Sequence, residues 1–124
     1  MKAHVILLVS SDPVVTRTVE DAVLNARHGF RHIAERAEAL RELSTGCDDI
    51  DLAIIDFDPG IQGLELFNAA RSHLPVLVLT HRDVADMDRI LQRHGASGCL
   101  TKPVTEADLA AAIRSLLVPK AVVV

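Results

Sequence analysis

Asp51-Leu52-Ala53-Ile54-Ile55-Asp56 is a short apolar run that carries a carboxylate to its own carboxyl end. The β-branched pair Ile54-Ile55 favours a buried strand, and Asp58-Pro59-Gly60 stops the run just beyond Asp56. In an open parallel sheet, ligands bind outside the carboxyl ends of the strands, which would put Asp56 at the rim of such a site. A loop aspartate that merely closes a strand gives the same local pattern. The neighbouring strand ends have to decide between the two.

Upstream, Val5-Ile6-Leu7-Leu8-Val9 is continuously apolar, as in a parallel strand buried on both faces. Asp12-Pro13 predicts a helix start, because Asp12 can accept from free N–H groups and Pro13 needs none of its own at the first helical position. Val15, Val19, Ala22, Val23 and Ala26 follow at helical spacing, with Gly29 as the stop. Phe30 to Ala34 alternates weakly and predicts a strand near a sheet edge. Glu35 to Ser44 predicts a helix with Ala37, Leu40 and Leu43 inward, ending at Gly46.

Downstream of Asp56, a helix from about Gln62 to Ser72 would bury Leu64, Phe67 and Ala70 with Leu66 beside them, until Leu74-Pro75 breaks it. Val76-Leu77-Val78-Leu79-Thr80 is a second apolar strand, ending in a hydroxyl. Asp83 to His94 predicts a helix with Met87, Ile90 and Leu91 inward, closed by Gly95. Gly98 to Thr101 is a short strand leading into Lys102-Pro103. Thr105 and Asp108 have capping-box spacing for a last helix, with Leu109, Ala112, Ile113, Leu116 and Leu117 as its buried stripe. Five strands alternating with five helices predict an α/β fold, a doubly wound parallel sheet. Alternation alone leaves the strand order open.

The 124 residues suit one domain, 1–124, with a core over about 4–118 and an apolar tail at 119–124. Hydrophobic residues at 49% and charged residues at 24% predict a folded globule. A net charge of −4 without a basic run argues against direct nucleic-acid binding. The apolar stretch after Met1-Lys2 is too short for a signal peptide, and no stretch is long enough to span a membrane. Cys47 and Cys99 form neither a metal-ligand spacing nor a disulfide framework, so a cytoplasmic setting is expected.

Three strand ends carry chemistry: Asp56, Thr80 and Lys102. A carboxylate, a hydroxyl and an ammonium on one rim suit a phosphoryl group built on the carboxylate. Asp56 would act as nucleophile, and Thr80 and Lys102 would bind the oxygens it acquires. Singly, each has a bland reading as a strand terminator or a solvated charge.

From Val5 to Leu117 the chain resembles the receiver (response-regulator) domain of bacterial two-component signalling. The resemblance is carried by Asp51-Leu52 with Asp56, by Leu74-Pro75-Val76-Leu77-Val78-Leu79-Thr80, and most specifically by Gly95-Ala96-Ser97-Gly98-Cys99-Leu100-Thr101-Lys102-Pro103. It implies a flavodoxin-like (βα)5 sheet of order 2-1-3-4-5, with Asp56 phosphorylated by a partner histidine kinase or phosphotransfer protein. It also implies Thr80 and Lys102 at the phosphoryl group and a cis peptide bond before Pro103.

The chain departs from that pattern in several places. Ser10 and Ser11 stand where receivers usually carry two acidic residues that hold Mg2+ with the phosphoacceptor. Asp12 falls on the helix cap, so Mg2+ affinity is expected to drop; a one-residue slip would make Asp12 a ligand beside Asp56, and Asp58 either restores some of the lost charge or is a solvated loop aspartate. The loop after Asp56 looks one residue short, with Pro59 three positions on. His81 replaces the usual small residue after Thr80, where it either screens the site or lies exposed. Cys99 replaces the usual aromatic switch residue and is expected as a small buried side chain. The other histidines form no spaced ligand set and are read as structural.

Two signalling readings follow: a phosphorelay receiver with weakened or altered Mg2+ dependence, and a phosphorylation-independent protein-binding module. Neither is an enzyme. A flavodoxin-like FMN carrier is disfavoured, since Phe30, Phe57 and Phe67 are the only rings of their kind, with no Trp or Tyr and no Gly-rich phosphate loop. Output is expected through a partner protein or an effector domain outside this sequence. The face bearing Asp86, Arg89, Arg93 and Arg114 is one that receivers often use, although surface charges alone do not establish a homodimer.

Overall fold

The computed structural model describes residues 4–45, 49–57, 61–80, 93 and 95–117. Five parallel strands form one sheet in the order β2-β1-β3-β4-β5. They are β1 (Val5–Val9), β2 (Gly29–Ile33), β3 (Leu52–Asp56), β4 (Val76–Thr80) and β5 (Gly98–Thr101). Four helices are described: α1 (Pro13–Asn25), α2 (Arg36–Ser44), α3 (Ile61–Arg71) and α4 (Glu106–Leu117). The predicted helix at Asp83 to His94 and the tail at 119–124 lie outside the described residues.

The apolar runs make central strands because both faces of the sheet are covered. Leu7, Val9, Ala53, Ile55, Val76 and Val78 point to one face and pack with Ala39 and Leu43 of α2 and with Leu66, Phe67 and Ala70 of α3. Ile6, Leu8, Leu52, Ile54, Leu77 and Leu79 point to the other, against Val15, Val19 and Val23 of α1 and Leu109 and Ile113 of α4. Alternate residues of one strand thus serve two separate cores. Ile54 is fully buried, and truncating such a side chain to alanine costs about 2–5 kcal/mol.

Register places the chemistry. β3 pairs with β1 through Ile54↔Leu8 and with β4 through Asp56↔Leu79. Asp56 therefore ends its strand level with the last residues of its neighbours. The weak strand is indeed an edge strand, and it begins at Gly29.

Several local readings are corrected. Helix α1 ends at Asn25, and the left-handed residue after it is Arg27, with φ 64°; Gly29 already opens β2. Ala26 is consequently exposed rather than part of the apolar face. In α2 the buried alanine is Ala39, whereas Ala37 faces solvent. Ala39 and Leu43, four residues apart, form the buried face of α2, with Leu40 packed beside them. Gly95 does adopt the left-handed backbone expected of a helix stop, with φ +106°. Gly46, and the side chain of Leu64, lie outside what is described.

Candidate functional site

The rim at the carboxyl ends of β1 and β3 is built around Asp56, whose side chain is 11% exposed. Its Oδ1 faces the Nζ of Lys102, in an ion pair whose lysine side chain is 14% exposed. Its Oδ2 accepts a hydrogen bond from Ser10 Oγ at 2.7 Å. Both oxygens of the carboxylate are thus engaged, one by a cation and one by a hydroxyl.

Each partner is delivered by the backbone. The Lys102 N–H donates to Thr80 O at 2.7 Å, which extends the β4–β5 pairing by one residue, and the Lys102–Pro103 peptide bond is cis. Ser10 is 4% exposed and is held at every polar atom. Its N–H donates to Ile33 O at 3.2 Å, its carbonyl accepts from His32 Nε2 at 2.7 Å, and its Oγ accepts from the Asp12 N–H at 3.1 Å. With that lone pair used, the Ser10 proton is directed at Asp56.

Asp12 caps α1. Its Oδ1 accepts from the N–H groups of Val14 at 2.8 Å and Val15 at 3.5 Å, a role worth about 1 kcal/mol. Ser11 is exposed. Ser10, Ser11, Asp12, Asp56 and Lys102 line one cavity of about 170 Å3, together with Arg36 from the start of α2. Thr80 is 3% exposed and is not among the residues lining that cavity, although it ends β4 on the same rim opposite Thr101. Cys99 is half-buried against the core. Asp58, Pro59, His81, Asp86 and Arg89 lie outside the described residues; Arg93 and Arg114 are exposed.

A match to the response regulator receiver domain model spans residues 6–114. The chain belongs to the response regulator receiver family. A crystal structure described as a response regulator from Chloroflexus aurantiacus superposes with a TM-score of 0.79 at 29% identity, covering 94% of this chain and 98% of that one. The chemotaxis response regulator CheY4 of Vibrio cholerae does so with a TM-score of 0.78 at 23% identity, over 94% of this chain and 100% of that one. NtrX of Brucella abortus matches at 0.79 and 21% identity, over 94% of this chain but 27% of that one. No curated protein matches the chain.

Receivers as a family work in phosphorelay signalling, generally bind Mg2+ at the phosphorylation site, and interact with histidine kinases and output domains. In this receiver the described donors offer that ion less negative charge than free paired carboxylates would. Asp12 Oδ1 accepts from the α1 amides, Ser10 and Ser11 bring no charge, and Lys102 and Arg36 line the same cavity as the two carboxylates. Mg2+ holds near-octahedral oxygen ligands and takes its protein charge from carboxylates. Among the described residues no cluster of three or more His, Cys, Asp or Glu is arranged to hold a metal, and no helix is long and apolar enough to cross a membrane.

The sequence pointed to Asp56, Thr80 and Lys102 as one set; Asp56 and Lys102 meet, while Thr80 is buried on the same rim and does not line the cavity. It did not reveal the Ser10–Asp56 hydrogen bond, the His32–Ser10 contact or the position of Arg36. The available signal was a hydroxyl directly after β1, at a strand end already known to neighbour Asp56.

Proposed function

We propose that this receiver takes part in phosphorelay signalling by accepting a phosphoryl group on Asp56 from a partner histidine kinase or phosphotransfer protein. The observation that carries the reading is the convergence of the Asp56 carboxylate and the Lys102 ammonium at the rim, both largely buried. A carboxylate oxygen of Asp56 attacks the donor phosphorus, the P–N bond of the phosphohistidine breaks, and the departing imidazole takes up a proton. Lys102 stabilises the charge that develops on the phosphoryl oxygens. Thr80, at the end of the adjacent strand, is the residue assigned to switching, although it is not among the cavity's lining residues. Mg2+ dependence is weak or altered, because Ser10 and Ser11 replace carboxylates. Output passes to a partner protein or effector domain, and residues 1–124 act as one domain.

Intact-mass spectrometry after incubation with acetyl phosphate tests this directly. The expected result is a mass gain of one phosphoryl group, lost in Asp56→Asn. No gain from acetyl phosphate or from a phosphorylated histidine kinase would replace this reading with that of a phosphorylation-independent binding module.

A further inference from the structure

Ser10 stands against the Asp56 carboxylate with its hydroxyl proton committed. Its Oγ accepts from the Asp12 N–H at 3.1 Å, so the proton goes to Asp56 Oδ2, 2.7 Å away. The residue is fixed at its other polar atoms as well. It is 4% exposed, its N–H donates to Ile33 O at 3.2 Å, and its carbonyl accepts from His32 Nε2 at 2.7 Å. Lys102 holds the other carboxylate oxygen, Oδ1. The ammonium that stabilises phosphoryl charge is therefore on the Oδ1 side. A phosphoryl group built on Oδ1 keeps Lys102 beside its oxygens, and Oδ2 becomes the carbonyl oxygen of the acyl phosphate. Hydrogen bonds to an ionised acceptor are about twice as strong as those to a neutral one. Ser10 thus stabilises the free carboxylate more than it stabilises the acyl phosphate.

We infer that Ser10 sets the lifetime of the phosphorylated receiver: its hydroxyl holds Oδ2, leaves Oδ1 as the attacking oxygen, and speeds the loss of the phosphoryl group from Asp56. The inference rests on the phosphorylation of Asp56 proposed above. In hydrolysis a water oxygen attacks the phosphorus and the P–Oδ1 bond breaks. Its electron pair returns to the carboxylate, and a water proton passes to the phosphate or to solvent. Phosphoryl transfer goes through a loose transition state, in which the carboxylate has recovered most of its charge. The Ser10 hydrogen bond is then close to full strength in the transition state. Its effect falls on the breakdown of the acyl phosphate rather than on its formation.

The test is the decay of the phosphorylated protein. Wild type, Ser10→Ala and Ser10→Thr are phosphorylated with acetyl phosphate at constant magnesium chloride, and the donor is removed by gel filtration. Intact mass is then followed with time, with thermal melts confirming that each protein is folded. Ser10→Ala should gain its phosphoryl group at close to the wild-type rate. It should lose the group about fivefold more slowly, the difference between a hydrogen bond to a charged acceptor and one to a neutral acceptor. Ser10→Thr keeps the hydroxyl and should decay as wild type does. A purely structural role predicts the opposite sign, since a loosened site admits water and speeds decay. An unchanged or shorter lifetime in Ser10→Ala, or equally slow decay in both variants, would overturn the inference and leave Asp56 as acceptor. No mass gain in any of these proteins, from acetyl phosphate or from a phosphorylated histidine kinase, removes Asp56 as acceptor and the inference with it.

Discussion

Strand β3 is flanked by aspartates at both ends, Asp51 and Asp56, and the two do opposite things. At the amino end, Asp51 Oδ2 accepts the Val5 N–H at 2.8 Å while its own N–H donates to Val5 O at 2.8 Å. His4 lies alongside, with Nδ1 3.6 Å from Asp51, and its N–H donates to His28 Nδ1 at 3.1 Å. The His4 carbonyl accepts from Gly29 N–H at 2.8 Å. This end ties the starts of three strands together through bonds to backbone groups. At the carboxyl end, Asp56 touches a lysine and a serine through side chains only. Side-chain partners can be exchanged for a ligand without opening the sheet. One aspartate ties strand starts together, and the other is the phosphoacceptor proposed above.

The largest effect should come from exchanging the roles. Asp56→Asn is expected to abolish phosphoryl gain from acetyl phosphate, whereas Asp51→Ala should gain as wild type does. Equal loss in both variants would erase the distinction between the two ends. Ser10→Ala tests whether the carboxyl end is also structural. A buried hydroxyl bonded to a carboxylate contributes about 1.5–3 kcal/mol, so urea denaturation should report a loss in that range. An unchanged midpoint would mean that the Ser10–Asp56 bond adds no net stability. Asp51→Ala should cost less, about 1 kcal/mol, because Asp51 is half-exposed and water can replace it.

The smallest effect is in pH. Burial holds the His28 imidazole below its ordinary value of 6.5; the nearby His4 lowers it further, and Asp51 opposes both. The unfolded chain therefore takes up this proton first as the pH falls. Stability from neutral His28 is present above about 6.5 and is lost as the pH drops through the lower folded value. Urea midpoints should fall modestly from pH 7.5 to pH 5, and His28→Gln should flatten that slope. An unaltered slope in the variant would assign the pH dependence to other groups.

The sheet was legible because β1, β3 and β4 are unbroken apolar runs, a pattern that only burial on both faces explains. The start of α1 was legible because Asp12-Pro13 combines a cap and a fixed φ in adjacent residues. Helix α2 was less so, since Ala37 and Ala39 both stand three or four residues from an inward leucine, Leu40 or Leu43, and only Ala39 is buried. At the site, Asp56 and Lys102 could be read because each follows a recognisable strand. Arg36 and His32 could not. Both belong to the β2–α2 stretch, which comes from another part of the chain and reaches the rim only because β2 lies beside β1.

The residue after Asp56 has a mechanical consequence. Phe57 is 2% exposed, with its ring in the core shared with α2 and α3, and its N–H donates to Leu79 O at 2.9 Å. The backbone of Asp56 is therefore held on the strand side and on the loop side. Under the proposed phosphorylation, a change of charge on Asp56 would bear first on its own partners: the Lys102 ammonium, the Ser10 hydroxyl and, through the Asp12 amide, the first turn of α1.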